Sequence, residues 1–286
     1  MKNDFFRGAS FCIVLAVYVL AALAGFLIFQ LASPAMPDLW ALLLADVVAT
    51  AVTWAFGLLF ANVSVYDPYW SVLPPVMYTA WAVHCGARSL PAVLLLVAVW
   101  YWGIRLTANW AITFKGLAHE DWRYTRYRNM QSPFLFQLTT FFGLHRVPTL
   151  VVFLAMLPGF GVLESGAGAN LLTWLGFVLC VSSATIQLVA DTQSRRFRAA
   201  HPGEVCEAGL WRRGRHPNYF GEVQFWWGIW VMYVSLAGFS VNAWYLAGPV
   251  AMTALFLFIS IPMMERRQLE RKPGYADYRR RTRILI

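Results

Sequence analysis

Charge is what this chain has least of. Only 13% of its residues are charged, against 59% hydrophobic, and its mean hydropathy is +0.54. A soluble domain carries about a quarter charged residues, so that class is excluded. Also missing are internal repeats, low-complexity tracts and any polar stretch long enough for a second, soluble domain. There is no G-x-G-x-x-G and no P-loop, so a dinucleotide bound here does not sit on a Rossmann unit. The four cysteines (Cys12, Cys85, Cys180 and Cys206) form no C-x-x-C pair and have no metal-ligand spacing with histidine. No metal site is expected. Cys206 lies in a polar loop; the other three fall in or beside apolar runs, where reduced, packed thiols are expected.

What the chain has in abundance is apolar runs of membrane-spanning length. A bilayer core of about 30 Å takes about 20 apolar residues in a helix. Windows near 11–32, 40–62, 70–87, 89–113, 134–158, 169–191, 219–237 and 241–264 meet this wholly or nearly. The third contains "LPPV" and is short enough to be kinked or re-entrant. The first resembles a signal peptide, but its apolar run exceeds the usual h-region of about 7–15 residues, so a retained helix is expected. The cations lie in the N-terminus, the loops at 114–133 and 192–218, and the C-terminal tail, while the loops at 33–39, 159–168 and 238–240 carry none. By the positive-inside rule this predicts an all-α, polytopic helical bundle of seven to eight spans with both termini cytoplasmic. Only Arg88 falls on the outer side. The formal charge of +9 does not indicate nucleic acid, because the cations sit in short loops between spans.

Polar groups inside such spans are expensive and point to function. In "QLVADTQSRRFR", Asp191, Arg195 and Arg198 share one helical face, suited either to a solvated helix end or to an anionic cofactor. "WRRGRHPNYFGE" follows, and Arg213, Arg215 and His216 stand before a helix starting near Asn218. Arginine forks and a helix N-terminus both favour phosphate. Lipid snorkelling also accounts for the arginines, but not for Asn218, Tyr219 and Glu222 at the start of a membrane helix. The tail "ERRQLERKPGYADYRRRTRI" reads as an amphipathic anchor that, beside two other basic pieces, can close over a nucleotide. Arg105 and Asn109, four apart in "WGIRLTANW", are buried by position. In "NVSVYDPYW", Tyr66 and Asp67 form a candidate tyrosine–carboxylic acid pair for hydrogen-bonding a carbonyl oxygen, with a plain inter-helix turn as the rival reading.

"GLWRRGRHPNYFGE", a tryptophan-rich helix and the tail just quoted resemble the steroid 5-alpha-reductase family, most closely a bacterial membrane branch catalogued as a domain of unknown function. "VADTQSRRFR", "WGIRLTANW", "EDWRYTRYR" and "NVSVYDPYW" extend the likeness over about residues 40–286. Residues 1–39 stand apart as an added helix and loop. Sterol C14-reductases share the Arg-His-Pro-Asn-Tyr stretch. The resemblance implies a seven-helix membrane fold holding NADPH in a pocket open to the cytosol, with hydride transfer to the carbon–carbon double bond of an enone. The matching cofactor positions are Asp191, Arg198, Asn218 and Glu222, and Gln187 stands where the family has asparagine. In the tail, Arg266, Tyr275 and Tyr278 are cofactor positions only as this resemblance implies. The resemblance does not align the family's carbonyl-activating residues, for which Tyr66 and Asp67 are the physical choice.

The expectation is a monomeric reductase of a bacterial inner membrane, taking NADPH from the cytoplasm and a steroid- or terpenoid-like substrate from the lipid. Glu222, Tyr66 and Asp67 stand at its reacting centre. Isoprenylcysteine-type methyltransferases share an Arg-His-Pro-x-Tyr-x-Gly stretch but bind S-adenosylmethionine, which lacks phosphates. The surplus of arginines favours NADPH. A non-catalytic lipid-binding membrane protein is the third reading.

Overall fold

The computed structural model describes residues 2–286, the side chains of 2–6 and 239 excepted. It is 81% helix with no strand among the described residues. The helices are α1 (Lys2–Ala32), α2 (Asp38–Leu59), α3 (Tyr69–His84), α4 (Leu90–Thr113), α5 (Trp122–Met130), α6 (Pro133–Leu138), α7 (Val147–Glu164), α8 (Leu171–Ala200), α9 (Pro217–Ala237), α10 (Ala247–Ala254), α11 (Ile261–Arg271) and α12 (Tyr275–Arg281). A π-helical stretch, Thr139–Arg146, joins α6 to α7, and another, Leu255–Ser260, joins α10 to α11.

Six helical stretches are long and apolar enough to cross a membrane: Arg7–Ala32, Asp38–Leu59, Leu90–Thr113, Pro133–Glu164, Leu171–Ala200 and Ala243–Arg271. They fall on six of the eight expected windows. The other two are helices of a different quality. α3 has only 16 residues, with Pro74 and Pro75 inside it. α9 has 21 residues, but Asn218, Glu222 and Gln224 lower the mean hydropathy of its first two turns.

Local chemistry sets the ends. Asn170 caps α8 by accepting from the backbone of Leu172 and Thr173, while the Thr173 hydroxyl accepts from the Asn170 backbone in return. Ser132 caps α6, with Pro133 at the first helical position. α12 opens after Gly274, whose φ of 81° lies in the left-handed region.

The chain forms two compact units, one of residues 1–73 and 107–153, the other of residues 74–106 and 154–286. In unit 1, α1 packs along α2. In unit 2, α8 and α9 pack closely because glycines face each other. A Cβ on Gly228 would lie 2.6 Å from Cys180 Sγ and 3.1 Å from the Gly176 carbonyl oxygen, and one on Gly221 would lie 2.7 Å from the Ser183 carbonyl oxygen. Small residues let membrane helices approach to backbone contact, and this approach sets the carboxylate of α8 beside the first turn of α9. Gly228→Ala is therefore expected to cost about 1–3 kcal/mol by overpacking. Thermal unfolding in detergent checks this, against Gly168→Ala, where the new methyl meets nothing within 4 Å.

Candidate functional site

The polar heart of unit 2 begins with Arg105. Its side chain is 3% exposed and lies 3.1 Å from Asp191 Oδ2, itself 15% exposed. The other guanidinium nitrogen donates to Gln187 Oε1. Asn218 Nδ2 donates to the free oxygen of Asp191 at 3.2 Å. Thus α4, α8 and the first turn of α9 meet on one carboxylate. One turn deeper, Glu222 accepts from Trp102 Nε1 and Trp226 Nε1, each at 2.9 Å. Trp102 also stacks on Phe225 at 5.0 Å. Two buried donors of this cluster, Arg105 Nε and Gln187 Nε2, make no hydrogen bond among the described residues. Buried donors left unpaired are rare and costly, and these two fit a ligand rich in acceptors.

Beyond this cluster α8 carries its cations outward. Arg195 reaches Thr192 at 3.4 Å, and exposed Arg198 donates to the Ser194 carbonyl at 3.2 Å. Lys272, just past α11, has its pKa lowered by burial and by the neighbouring Arg198. This lysine was missed in the sequence because "KPGYADY" reads as a helix break; its place beside an arginine comes only from folding.

Several expected phosphate ligands have other work. Arg215 is buried, with Nε 2.6 Å from Glu265 Oε1, and donates to the carbonyls of Arg279 and Thr282. Arg279 reaches the second Glu265 oxygen at 3.0 Å. His216 Nε2 lies 3.3 Å from Glu265, and its ring stacks on Tyr219 at 5.2 Å. Arg215 N and His216 N donate to the carbonyls of Arg283 and Ile284. Tyr278 is buried, its hydroxyl on the carbonyls of Trp211 and Gly214, and Tyr275 is buried beside it. The tail thus clamps the 209–216 loop onto Glu265. Arg213 is exposed at the end of that loop, and Arg266 is exposed, 3.4 Å from Glu270. Burial lowers the His216 pKa to about 4, partly opposed by Glu265. The folded pKa lies below the ordinary value of about 6.5, so the contribution of His216 to stability is present above that value and lost as pH falls toward 4.

In unit 1 Tyr66 and Asp67 go separate ways, because neighbours in a 3-10 turn project apart. Tyr66 is buried, its hydroxyl 2.8 Å from Thr149 Oγ1 and 3.1 Å from the His145 carbonyl. Asp67 accepts from Tyr124 at 2.6 Å and lies 3.7 Å from Arg123. Burial raises its pKa to about 6 against the opposing pull of Arg123. Asn62 caps this turn at Ser64 and staples the carbonyls of Leu117 and His119. The tyrosine–carboxylic acid pair within the helices is Tyr69 and Asp46, at 2.9 Å, both buried, with Asp46 Oδ2 making no hydrogen bond among the described residues. Sequence reasoning missed it, although a carboxylate inside the apolar run "LLLADVVAT" was the signal. Asn109, one turn beyond Arg105 on α4, is half-buried and belongs to unit 1.

Apolar spans and polar groups buried at helix ends define a helical membrane protein. The chain belongs to the family described as "Protein of unknown function (DUF1295)", whose model matches residues 53–282. It is similar to the Schizosaccharomyces pombe protein named "Uncharacterized protein C594.04c", at 23% identity over 270 residues, covering 82% of this chain and 76% of that one. No solved structure matches.

The clamp gives a direct prediction. Glu265→Gln removes the charge shared by Arg215 and Arg279, and breaking a buried pair in this way costs about 3–5 kcal/mol. Limited trypsin digestion at neutral pH is expected to cut the tail after Arg279–Arg283 at least about tenfold faster than in the parent. Equal rates would contradict the clamp.

Proposed function

We infer that this protein is an NADPH-dependent membrane reductase acting on the carbon–carbon double bond of a lipophilic enone, akin to the steroid 5-alpha-reductases. The observation that carries the reading is the unit 2 cluster, with its two unsatisfied donors beneath the cationic end of α8. Arg105 and Gln187 offer donors to an acceptor-rich cofactor. Asp191, fixed by Arg105 and Asn218, offers an acceptor to a ribose hydroxyl or an amide. Arg195, Arg198 and Lys272 supply the positive field that phosphates need, which favours NADPH over S-adenosylmethionine. Bound there, NADPH supplies the hydride. Both oxygens of Glu222 are held by indoles, so we assign it to fixing α4 against α9 rather than to proton transfer.

Reduction of an enone also requires a donor to its carbonyl oxygen. The hydroxyls of Tyr66 and Tyr69 are both engaged, Tyr66 by Thr149 and the His145 carbonyl and Tyr69 by Asp46, so neither is assigned that role. The positive-inside rule puts the cationic loops, and so the cofactor end, in the cytoplasm, fitting a bacterial inner membrane. A hydrophobic substrate reaches such a protein from the lipid.

The test is thermal unfolding of detergent-purified protein with NADPH, NADH and S-adenosylmethionine, followed by assay of a steroid enone. NADPH at a hundredfold excess over Kd should stabilise by about 2.7 kcal/mol. Asn218→Ala should weaken that shift and Arg105→Gln should abolish it. A shift with S-adenosylmethionine alone supports a methyltransferase, and no shift with any of the three supports a lipid-binding shell.

A further inference from the structure

Unit 1 answers most of its arginines with its own acceptors. Arg123 lies 2.7 Å from Asp121, and Arg128 lies 2.7 Å from Glu120. Arg7 donates to the carbonyls of Ala111 and Ile112. Arg146 differs: its side chain makes no ion pair and no hydrogen bond among the described residues. Its Nε is closed off, whereas the two terminal nitrogens of this half-buried side chain reach the surface.

Arg146 ends the π-helical stretch that joins α6 to α7. The i, i+5 turn of a π-helix brings Phe141 beneath it, with the guanidinium carbon 4.7 Å from the ring centre. Trp54 of α2 packs on Phe141 at 4.7 Å and is itself fixed by donating to the Thr140 hydroxyl at 3.3 Å. The guanidinium is thus propped by an aromatic pair while its terminal fork stays open. Phe142 and Leu150, four residues to either side, share its helical face and are 57% and 39% exposed, with Val147 beside them at 42%. The continuous helix Pro133–Glu164 has 32 residues, about 48 Å, against an apolar bilayer core of about 30 Å. The 18 residues of α7 that follow Arg146 span about 27 Å. Arg146 therefore stands where this helix enters the core from the side of the 114–133 loop. Side chains on a helix lean toward its N-terminus, here toward the headgroups.

A guanidinium at the edge of lipid, with exposed apolar neighbours above and below it, needs an anion that the protein does not supply. We propose that Arg146 binds the phosphate of an anionic phospholipid, its terminal fork on two phosphate oxygens and the acyl chains along Val147 and Leu150. Arginine forks match phosphate bidentately. A headgroup of the phosphatidylglycerol kind suits the place better than phosphatidylcholine. No carboxylate pairs with Arg146 among the described residues, so nothing there receives a choline ammonium. A soluble phosphate makes no use of the apolar face. The site is independent of the reductase reading, and no residue of the proposed cofactor cluster takes part.

The experiment uses the full chain in phosphatidylcholine nanodiscs holding a trace of phosphatidylglycerol with a diazirine high on one acyl chain. After photolysis the labelled peptides are mapped. Labelling is expected within 142–153. Nanodiscs that also contain unlabelled phosphatidylglycerol should show it reduced about tenfold, and soluble glycerol 3-phosphate should leave it unchanged. Arg146→Gln should lower it about tenfold, the worth of one charge-assisted pair. Arg146→Lys should lower it less, since a point charge remains without the fork. Lys115→Gln removes an exposed cation of the neighbouring loop and should change nothing. Absence of competitor-sensitive labelling at 142–153 in the parent chain overturns the proposal without recourse to any variant. Equal losses in Arg146→Gln and Lys115→Gln show general charge attraction only, and overturn it. Displacement by glycerol 3-phosphate shows a soluble-phosphate site and overturns it as well.

Discussion

A guanidinium inside an apolar helix must be answered by an anion, and Arg105 is answered by Asp191 at 3.1 Å. Unit 2 is organised around that demand. Neither partner is tolerable alone, since an unpaired buried charge costs several kcal/mol. The pair therefore fixes α4 against α8, and the glycines of α8 and α9 bring Asn218 close enough to take the second carboxylate oxygen. The carboxylate thus has both oxygens held, beside two buried donors, Arg105 Nε and Gln187 Nε2, that are not held among the described residues.

The second constraint is the tail. A chain this rich in arginine would bring loose cations to any anionic surface, yet Arg215 and Arg279 are locked to Glu265, and Tyr278 to two carbonyls. The clamp takes arginines out of the candidate phosphate set and leaves Arg195, Arg198 and Lys272 by the helix end. A motif dense in one residue type thus divides its labour: some copies build the clamp and others stay at the outer end of α8.

The helical class, the six strongest spans and the polar character of 187–191 and 218–222 were legible in the sequence, because bilayer length and the expense of polar groups in lipid leave a plain record there. The spacing of Asp191, Arg195 and Arg198 gave a shared face, but not the pairing of Asp191 with Arg105, which lies 86 residues away. The split of Tyr66 from Asp67 follows from a 3-10 turn that the sequence does not announce. The Tyr69–Asp46 pair was visible as a lone aspartate in an apolar run and was passed over for a more polar neighbourhood. The fates of Arg215, Tyr275 and Tyr278 depend on how the tail folds back, which no local pattern encodes.

The claim at the centre is that the Arg105–Asp191–Asn218 cluster grips a phosphorylated redox cofactor. Hydrogen exchange of the full protein with and without NADPH reads this out segment by segment. The account predicts slowed exchange at 187–198 and 213–222 when NADPH is present, with 139–146 unchanged. Exchange at 187–198 and 213–222 that is indifferent to NADPH would contradict it.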